Sequence, residues 1–318
     1  MTAAPSSHAH PPPSAMARRL RVIRRAAGAE LSRLHDPRRV AAIVILAVVF
    51  AVIGAGLLAR GEESGADARA YWAAVRIWLN GGDPYHPSGP FLPYVYAPWM
   101  LPLFAPWALL PWEVAWFVWR GGMLVAWLAT IKWAYERRPL ATALAVLALS
   151  FPIGANLDTG NVTLLLALGL WVAQFTEARL AGLIWAIATS MKWVPAPFWL
   201  LLAPRARTWG LIWLALAGIL SVLTLPLTII QLQALFGFGP RPPRLDYLVL
   251  LWATVPWLWS HPGALARFDP RAWPASLGLL RRQTGAWLSG WTRDPGGASR
   301  RARVEIRAFL GLENRGTG

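Results

Sequence analysis

Long stretches of apolar residues, separated by short turns that carry arginine, dominate this sequence. Several of them approach or exceed the roughly 18 residues that a helix needs to cross the hydrocarbon layer of a bilayer. Only 14% of the 318 residues are charged, whereas a soluble domain carries about a quarter. The sequence therefore predicts an all-α integral membrane protein, a polytopic helical bundle.

The net charge of +16 is concentrated at the two ends of the chain. Residues 1–39 hold eight arginines and residues 263–318 hold ten. This layout follows the positive-inside rule and favours contact with anionic membrane lipids rather than with nucleic acid. We therefore expect a multi-pass protein of the plasma membrane with both termini in the cytoplasm. Cysteine is absent, so no disulfide framework is possible.

Three regions follow from this pattern. Residues 1–39 are predicted to form a disordered basic N-terminus, residues 40–262 a polytopic transmembrane domain, and residues 263–318 a basic tail that lies partly at the membrane surface. Prolines interrupt two apolar segments, at 94–110 and at 181–202. We predict six crossings in addition to these two broken segments, or eight crossings if each broken segment also crosses.

The polar loop after the first crossing, at about residues 60–93, contains the most informative acids. Hydrophobic residues within it recur at helical spacing and predict a short helix in the membrane interface. Asp67 precedes this spacing and either caps that helix or acts as a general base at the outer face. Asp83, in the sequence GGDP, is favoured as a turn residue. Tyr71 and Tyr85 are aromatic candidates for substrate binding in the same loop.

Three further candidates lie in the apolar middle of the chain. Asp158 and Asn161 are predicted in a very short outer loop, where Asn161 either caps the next helix or helps to bind an anion. Lys192 is one of only two lysines and stands beside a helix break. An ionisable residue at membrane depth usually faces a cavity or a partner, although a lysine can also extend to the interface.

Arg241 and Arg244 form a basic pair in the predicted outer loop near residues 231–245. They could bind a phosphate, or they could pair with Asp246 or with lipid heads. The sequence contains no nucleotide-binding loop, no HExxH and no cluster with metal-ligand spacing. We therefore expect no cofactor and no metal site, which disfavours ATP-driven transport and zinc hydrolysis.

The order of these features resembles glycosyltransferase family 87, a family of bacterial membrane enzymes of the polytopic C-type fold. Asp67 is followed by AYWAAVRIWLNGGDPY and YVYAPWMLPLFAPWALLPW, and then by Thr159-Gly160-Asn161 and AGLIWAIATSMKWVPAPFWLL. The resemblance extends over roughly residues 40–240. It implies transfer of a mannose-like sugar from a polyprenyl-phosphate donor to a hydroxyl of an envelope glycolipid or glycan, with inversion at the sugar carbon.

The resemblance also implies roles for individual residues. Asp67 matches the loop aspartate that serves as general base in such enzymes. Lys192 stands at a matching motif, and it and the outer-loop arginines are candidates for binding the donor phosphate. A bound divalent ion is not clearly required in this branch of the family.

Two departures from the family keep a second function open. Relatives usually have a glutamine in the motif that here reads Thr159-Gly160-Asn161, and they continue through more crossings than the apolar part that ends here near residue 262. The alternative is a catalytically inactive relative that acts as a transporter or as a subunit of an envelope-assembly complex. Dependence of sugar transfer on Asp67 distinguishes the two functions.

Overall fold

The computed structural model describes residues 36–237, 244–261, 289 and 294–310. All regular secondary structure in these ranges is helical, which confirms the all-α prediction. The α-helices, numbered in chain order, are α1 Pro37–Arg60, α2 Ala66–Leu79, α3 Leu101–Ala108, α4 Trp112–Arg137, α5 Pro139–Ala148, α6 Ser150–Thr159, α7 Val162–Ala173, α8 Ala178–Met191, α9 Pro204–Leu223, α10 Leu225–Gly237, α11 Val255–Ser260 and α12 Pro295–Leu310. Short 3₁₀ helices cover Gly61–Glu63, Pro98–Met100, Ala196–Leu201 and Leu245–Thr254.

Three of these helices, α1, α4 and α9, are long and apolar enough to cross a membrane. Helices α5 and α6 pass the same test only as a pair, and they bend by 60° where they meet. The part of the chain described here therefore has three or four such crossings by length and composition. The apolar runs in the sequence outnumber the helices of membrane-spanning length, because turns divide several of the runs, as between α9 and α10. A count of six or eight crossings stays a prediction.

Both proline-containing segments are broken, as the sequence predicts. In the first, a 3₁₀ turn at Pro98–Met100 leads into α3, which is only eight residues long. In the second, α8 ends at Met191 and the chain continues as the 3₁₀ helix Ala196–Leu201. Proline lacks the backbone N–H that a continuous helix requires, so each segment turns within the protein.

Helix α2 confirms the helical spacing in the loop after α1, but it excludes Asp67 as its cap. Gly65 is the N-cap residue, and Asp67 lies inside the first helical turn. At the other end of α2, the Arg76 guanidinium donates hydrogen bonds to the carbonyls of Ala108, Leu109 and Leu110. A cation on the unpaired carbonyls at the end of α3 stabilises that end. Asp67 therefore lies on a helix whose C-terminal end is anchored to the end of α3.

A core of aromatic side chains surrounds α7. Trp171 of α7 stacks on Trp252 at 5.4 Å between ring centroids, and the Trp252 indole donates to the hydroxyl of Thr130 on α4. Trp252 and the neighbouring Trp127 are almost completely buried. Large buried rings contribute much of the packing energy of such a core. Packing of Trp171 near its C-terminal end therefore holds α7 in place, and the N-terminal residues of this helix can serve as a rigid part of a site.

Helix α12 belongs to the predicted basic tail and contacts the start of α9. The Thr208 hydroxyl donates to the carbonyl of Leu310, and the Arg207 guanidinium lies 4.1 Å from the centroid of the Phe309 ring. Of the predicted disordered N-terminus at residues 1–39, residues 1–35 lie outside the described residues, and residues 37–39 already belong to α1. Most of residues 263–318 also lie outside the described residues, so the predicted disorder and surface location of these parts remain predictions.

The turn between α6 and α7 approaches the first turn of α2 very closely. Gly160 has a φ of +68°, a left-handed conformation that favours glycine. A Cβ atom at Gly160 would lie 2.6 Å from the Cβ of Ala68 and 2.7 Å from the Trp116 ring. The Trp119 indole also donates to the Gly160 carbonyl. Only glycine fits between α2 and α4 at this position.

We predict that Gly160→Ala lowers the stability of the protein and separates α2 from the turn. Overpacking of this kind costs about 1–3 kcal/mol, with strain from the positive φ in addition. The apparent melting temperature in detergent, followed by tryptophan fluorescence, should fall. Gly121→Ala is the matched control, because no atom lies within 4 Å of a Cβ there. An unchanged melting temperature for Gly160→Ala contradicts the prediction.

Helices α8 and α9 also meet through glycine. A Cβ on Gly182 would lie 2.5 Å from the backbone nitrogen of Gly210. Backbones that approach this closely pack well within membranes, because small residues let helices make extensive van der Waals contact.

Replacement of Gly182 by Ala should therefore push α8 away from α9 and cost about 1–3 kcal/mol of stability. The measurement is loss of the monodisperse peak on size-exclusion chromatography after a temperature series. Gly218→Ala, on α9 itself, meets no atom within 4 Å and should behave as the wild type. Equal heat tolerance of the two variants would show that the close approach is unimportant.

Candidate functional site

A cavity of about 800 Å³ opens beside the first turn of α2 and the start of α7. The chain segments between Leu92 and Tyr96, after α8 and around α10 complete its wall. Its polar wall brings together residues that are far apart in the sequence, namely Asp67, Tyr71, Asn161, Lys192, Arg244 and Tyr247. Five of these six were candidates from the sequence.

Asp67 and Asn161 are in direct contact in this wall. The Asn161 side-chain nitrogen Nδ2 donates to Oδ2 of Asp67 at 2.8 Å. The Asn161 oxygen Oδ1 accepts from the backbone nitrogen of Thr163 and caps α7. This confirms the capping interpretation of Asn161 and adds a contact that sequence spacing alone could not reveal. The half-buried Asp67 is therefore held through one of its two carboxylate oxygens.

Lys192 is buried, with 9% of its surface exposed. It follows the last residue of α8, at the helix break, and its Nζ donates to Asn161 Oδ1 at 2.8 Å and to the hydroxyl of Thr163 at 2.6 Å. The same Nζ lies 4.7 Å from the centroid of the Tyr247 ring. These contacts exclude extension of Lys192 to the membrane interface and support its interpretation as a site residue.

Two tyrosines form the wall next to Asp67. The hydroxyls of Tyr71 and Tyr96 are 3.1 Å apart, and both rings are buried. Burial, with smaller contributions from Tyr96 and Asp67, raises the pKa of Tyr71 well above its ordinary value. Burial also raises the pKa of Tyr96. Both phenols therefore stay neutral at physiological pH and offer hydroxyl groups without charge.

The structure places Asp83 and Tyr85 outside the cavity wall. The Asp83 carboxylate accepts from the backbone nitrogen of Tyr85 and contacts the imidazole of His86, which confirms the predicted turn. Partial burial would raise the pKa of Asp83, but hydrogen bonds from His86 and Tyr85 outweigh it, so the pKa is lowered. The buried Tyr85 donates its hydroxyl to the carbonyl of Tyr96. Tyr85 therefore supports the Tyr96 segment from behind.

Asp158 also lies away from the cavity wall. The predicted short outer loop is wrong at this residue, because α6 continues through Asp158 to Thr159. The Asp158 carboxylate accepts from Arg60 Nε at 3.2 Å, and its backbone carbonyl accepts from the nitrogen of Gly65. Asp158 therefore ties the end of α1 and the start of α2 to the turn that carries Asn161.

Of the predicted basic pair, only Arg244 can be placed. It lines the cavity, and its Nε and Nη2 donate to the carboxylate of Asp246 at 3.2 and 3.0 Å. The pairing with Asp246, one of the possibilities left open by the sequence, is thus present. Arg241 lies outside the described residues.

Sequence reasoning missed several residues of the wall. Tyr96, Tyr247 and Gln231 line the cavity, as do Thr189 and Ser190, whose buried hydroxyl oxygens have no hydrogen-bond partner among the described residues. The only available signal was proximity, since Tyr247 follows Arg244 in RLDY and the two hydroxyls precede Lys192. Their contribution depends on contacts between distant segments, which spacing does not encode.

The cavity wall contains both charged and apolar side chains. Asp67, Lys192 and Arg244 supply one acidic and two basic side chains, whereas Leu92, Trp193 and Phe236 are exposed apolar residues of the same wall. The described residues include no group of three or more histidine or acidic side chains that could hold a metal ion. A polar pocket with an apolar margin suits an amphipathic ligand with a charged head.

Comparison with known proteins identifies the family. The family model described as glycosyltransferase family 87 matches residues 94–291, a range that includes Asn161, Lys192 and Arg244 and begins after Asp67. No curated protein and no solved structure matches the chain. Because the family match covers more than half of the chain, this membrane protein belongs to glycosyltransferase family 87.

Proposed function

We propose that this glycosyltransferase moves a mannose-like hexose from a polyprenyl-phosphate donor to a hydroxyl of an envelope glycolipid or glycan, with Asp67 as general base. The observation that carries the proposal is the position of Asp67 in the cavity wall with Oδ2 bound to Asn161. Within the described part of the chain, no donor hydrogen-bonds to Oδ1. That oxygen is available to accept a proton from an acceptor hydroxyl.

The proposed step is a single displacement. Asp67 Oδ1 takes the proton of the acceptor hydroxyl while the oxygen of that hydroxyl bonds to the anomeric carbon of the sugar. The bond between that carbon and the phosphate oxygen breaks, and its electron pair leaves with the phosphate. Attack from the face opposite the leaving phosphate inverts the anomeric centre. The products are the glycosylated acceptor and polyprenyl phosphate, and no cofactor takes part in the step.

Arg244 is the cation best placed to bind the donor phosphate. The hydrogen bonds of Lys192 go to Asn161 and Thr163, whereas those of Arg244 to described residues use two of its five N–H groups, both on Asp246. Asp246 thereby orients the guanidinium, and the remaining N–H groups can donate to phosphate oxygens. The unpartnered hydroxyls of Thr189 and Ser190 lie in the same wall.

The apolar margin of the cavity suits the polyprenyl chain. Trp193 and Phe236 are 81% and 78% exposed, and a soluble surface rarely leaves such rings in water. In a membrane protein these rings face lipid or a lipid-like ligand. We place the reaction at the outer face of the plasma membrane, with both termini in the cytoplasm, as the arginine distribution favours.

We predict that Asp67→Asn reduces sugar transfer at least about 100-fold, because the amide cannot accept the proton. The measurement is incorporation of labelled mannose from polyprenyl-phosphate-mannose by membranes that contain equal amounts of each protein. Asp83→Asn, outside the cavity wall, is the control and should transfer at the wild-type rate.

Two results would contradict the proposal. Wild-type activity in Asp67→Asn removes Asp67 from the role of base. No transfer by abundant wild-type protein from polyprenyl-phosphate-mannose or polyprenyl-phosphate-glucose favours the alternative of an inactive relative that acts as a transporter or as a subunit of an envelope complex.

Arg244→Gln should raise the KM for the polyprenyl-phosphate donor about tenfold or more, since a hydrogen bond between charged groups contributes about 1.5–3 kcal/mol. The initial rate at a series of donor concentrations measures this effect. Arg205→Gln, an exposed residue of α9 outside the cavity wall, provides the control. An unchanged donor KM in Arg244→Gln would assign the phosphate to other residues.

A further inference from the structure

We infer that Lys192 is a positioning residue, which fixes the orientation of the Asn161 amide and through it that of the Asp67 carboxylate. The inference rests on the proposed role of Asp67 as general base. It differs from the phosphate-binding role implied for Lys192 by the family resemblance.

The Asn161 oxygen Oδ1 receives three hydrogen bonds. The donors are the backbone nitrogen of Thr163 at 3.0 Å, the hydroxyl of Thr163 at 2.6 Å and Lys192 Nζ at 2.8 Å. If the amide were rotated by 180°, its NH₂ group would face these donors, including an ammonium ion. Such an arrangement leaves buried donors unpaired and repelling one another. The amide is therefore held in one orientation, with Nδ2 directed at Asp67.

Lys192 also fixes the direction of the Thr163 hydroxyl bond. An ammonium group has donors and no acceptor, so the contact of 2.6 Å between Lys192 Nζ and Thr163 Oγ1 makes Oγ1 the acceptor. The hydroxyl proton of Thr163 is then available for Asn161 Oδ1. The chain of hydrogen bonds runs in a single sense from Lys192 through Thr163 and Asn161 to Asp67 Oδ2.

The position of Thr163 allows a positioning role of Lys192 to be distinguished from direct contact between Lys192 and the substrate. Its side chain is completely buried and is not part of the cavity wall. A donor phosphate in the cavity therefore does not reach Thr163. If Lys192 acted only by binding phosphate, loss of the Thr163 hydroxyl would change the donor KM through Lys192 and would leave kcat unchanged.

The consequence for the reaction is a carboxylate with a fixed reactive oxygen. With Oδ2 bound to Asn161, Oδ1 is the oxygen that faces the acceptor. Misplacement of a reacting group by about 1 Å can cost on the order of 100-fold in rate. Loss of the ammonium removes one of the three hydrogen bonds to Asn161 Oδ1 and leaves the direction of the Thr163 hydroxyl bond unfixed. The Asn161 amide, and with it the donor to the Asp67 carboxylate, is then held less firmly.

The first test is spectroscopic and requires no substrate. Full-length protein with ¹³C-labelled aspartate carboxylates is placed in lipid nanodiscs, and the infrared carboxylate band of Asp67 is identified by subtraction of the Asp67→Asn spectrum. We expect Lys192→Met to shift this band, because the hydrogen bond to Oδ2 changes. Lys132→Met, at the only other lysine of the chain and an exposed position on α4, should leave the band unchanged.

A double-mutant comparison excludes a direct effect of the lysine charge on the carboxylate. The Asn161→Leu variant lacks the amide that connects Lys192 to Asp67 through hydrogen bonds. Lys192→Met in this background should therefore produce no further shift of the Asp67 carboxylate band. A shift of the same size in that background overturns the inference, as does an unchanged band in the Lys192→Met single variant.

The second test is kinetic and uses polyprenyl-phosphate-mannose. Lys192→Met and Thr163→Val should lower kcat by on the order of tenfold to 100-fold and leave the donor KM unchanged. A raised donor KM with unchanged kcat in Lys192→Met would assign Lys192 to the phosphate and overturn the inference. Transfer that persists in Asp67→Asn would instead remove the proposed base, while the infrared result would still decide whether Lys192 orients Asn161.

Discussion

The close contact between the turn at Gly160 and the first turn of α2 is the constraint on which the whole site depends. Asp67 is on α2, Asn161 begins α7, and only the absence of a side chain at Gly160 lets the two helices approach. The hydrogen bond from Gly65 to Asp158 and the pairing of Asp158 with Arg60 hold the same junction from the other side. Residues that contact no substrate therefore determine whether Asp67 and Asn161 meet.

Burial of charge explains why the polar groups of the site form a connected set. An isolated ammonium or carboxylate is costly at membrane depth, so each must find a partner. Lys192 donates hydrogen bonds to Asn161 and Thr163 and contacts the Tyr247 ring. Arg244 donates to the carboxylate of Asp246. Asp67 keeps one oxygen without a hydrogen-bond donor among the described residues, and its side chain belongs to the wall of a cavity large enough for a ligand. A carboxylate with one oxygen hydrogen-bonded and the other without a donor suits a group that receives a proton during a reaction.

The sequence predicted the class of fold and much of the site because both depend on local chemistry. Apolar runs and prolines predicted a helical membrane protein with two broken segments, and helical spacing predicted α2. Rarity of lysine in an arginine-rich chain pointed to Lys192, and motif order pointed to Asp67 and Asn161. These signals are carried by residue type and spacing, which a sequence displays directly.

Other features could not be predicted because they depend on packing between distant segments. Nothing local to Asp158 indicated that α6 continues through it or that its carboxylate binds Arg60. Tyr71 and Tyr85 were both candidates from the same loop, yet Tyr85 supports the Tyr96 segment and Tyr71 lines the cavity. The contact of Tyr96 with Tyr71 and the approach of Tyr247 to Lys192 likewise appear only in three dimensions.

The most direct test of the account is a structure of the full-length protein in lipid nanodiscs with a non-transferable 2-fluoro analogue of polyprenyl-phosphate-mannose, determined by electron cryomicroscopy. The account predicts the phosphate at Arg244, the polyprenyl chain beside Trp193 and Phe236, and the Asp67 carboxylate facing the sugar with Asn161 still bound to it. An analogue bound outside this cavity, or an Asp67 carboxylate directed away from the sugar, would contradict it.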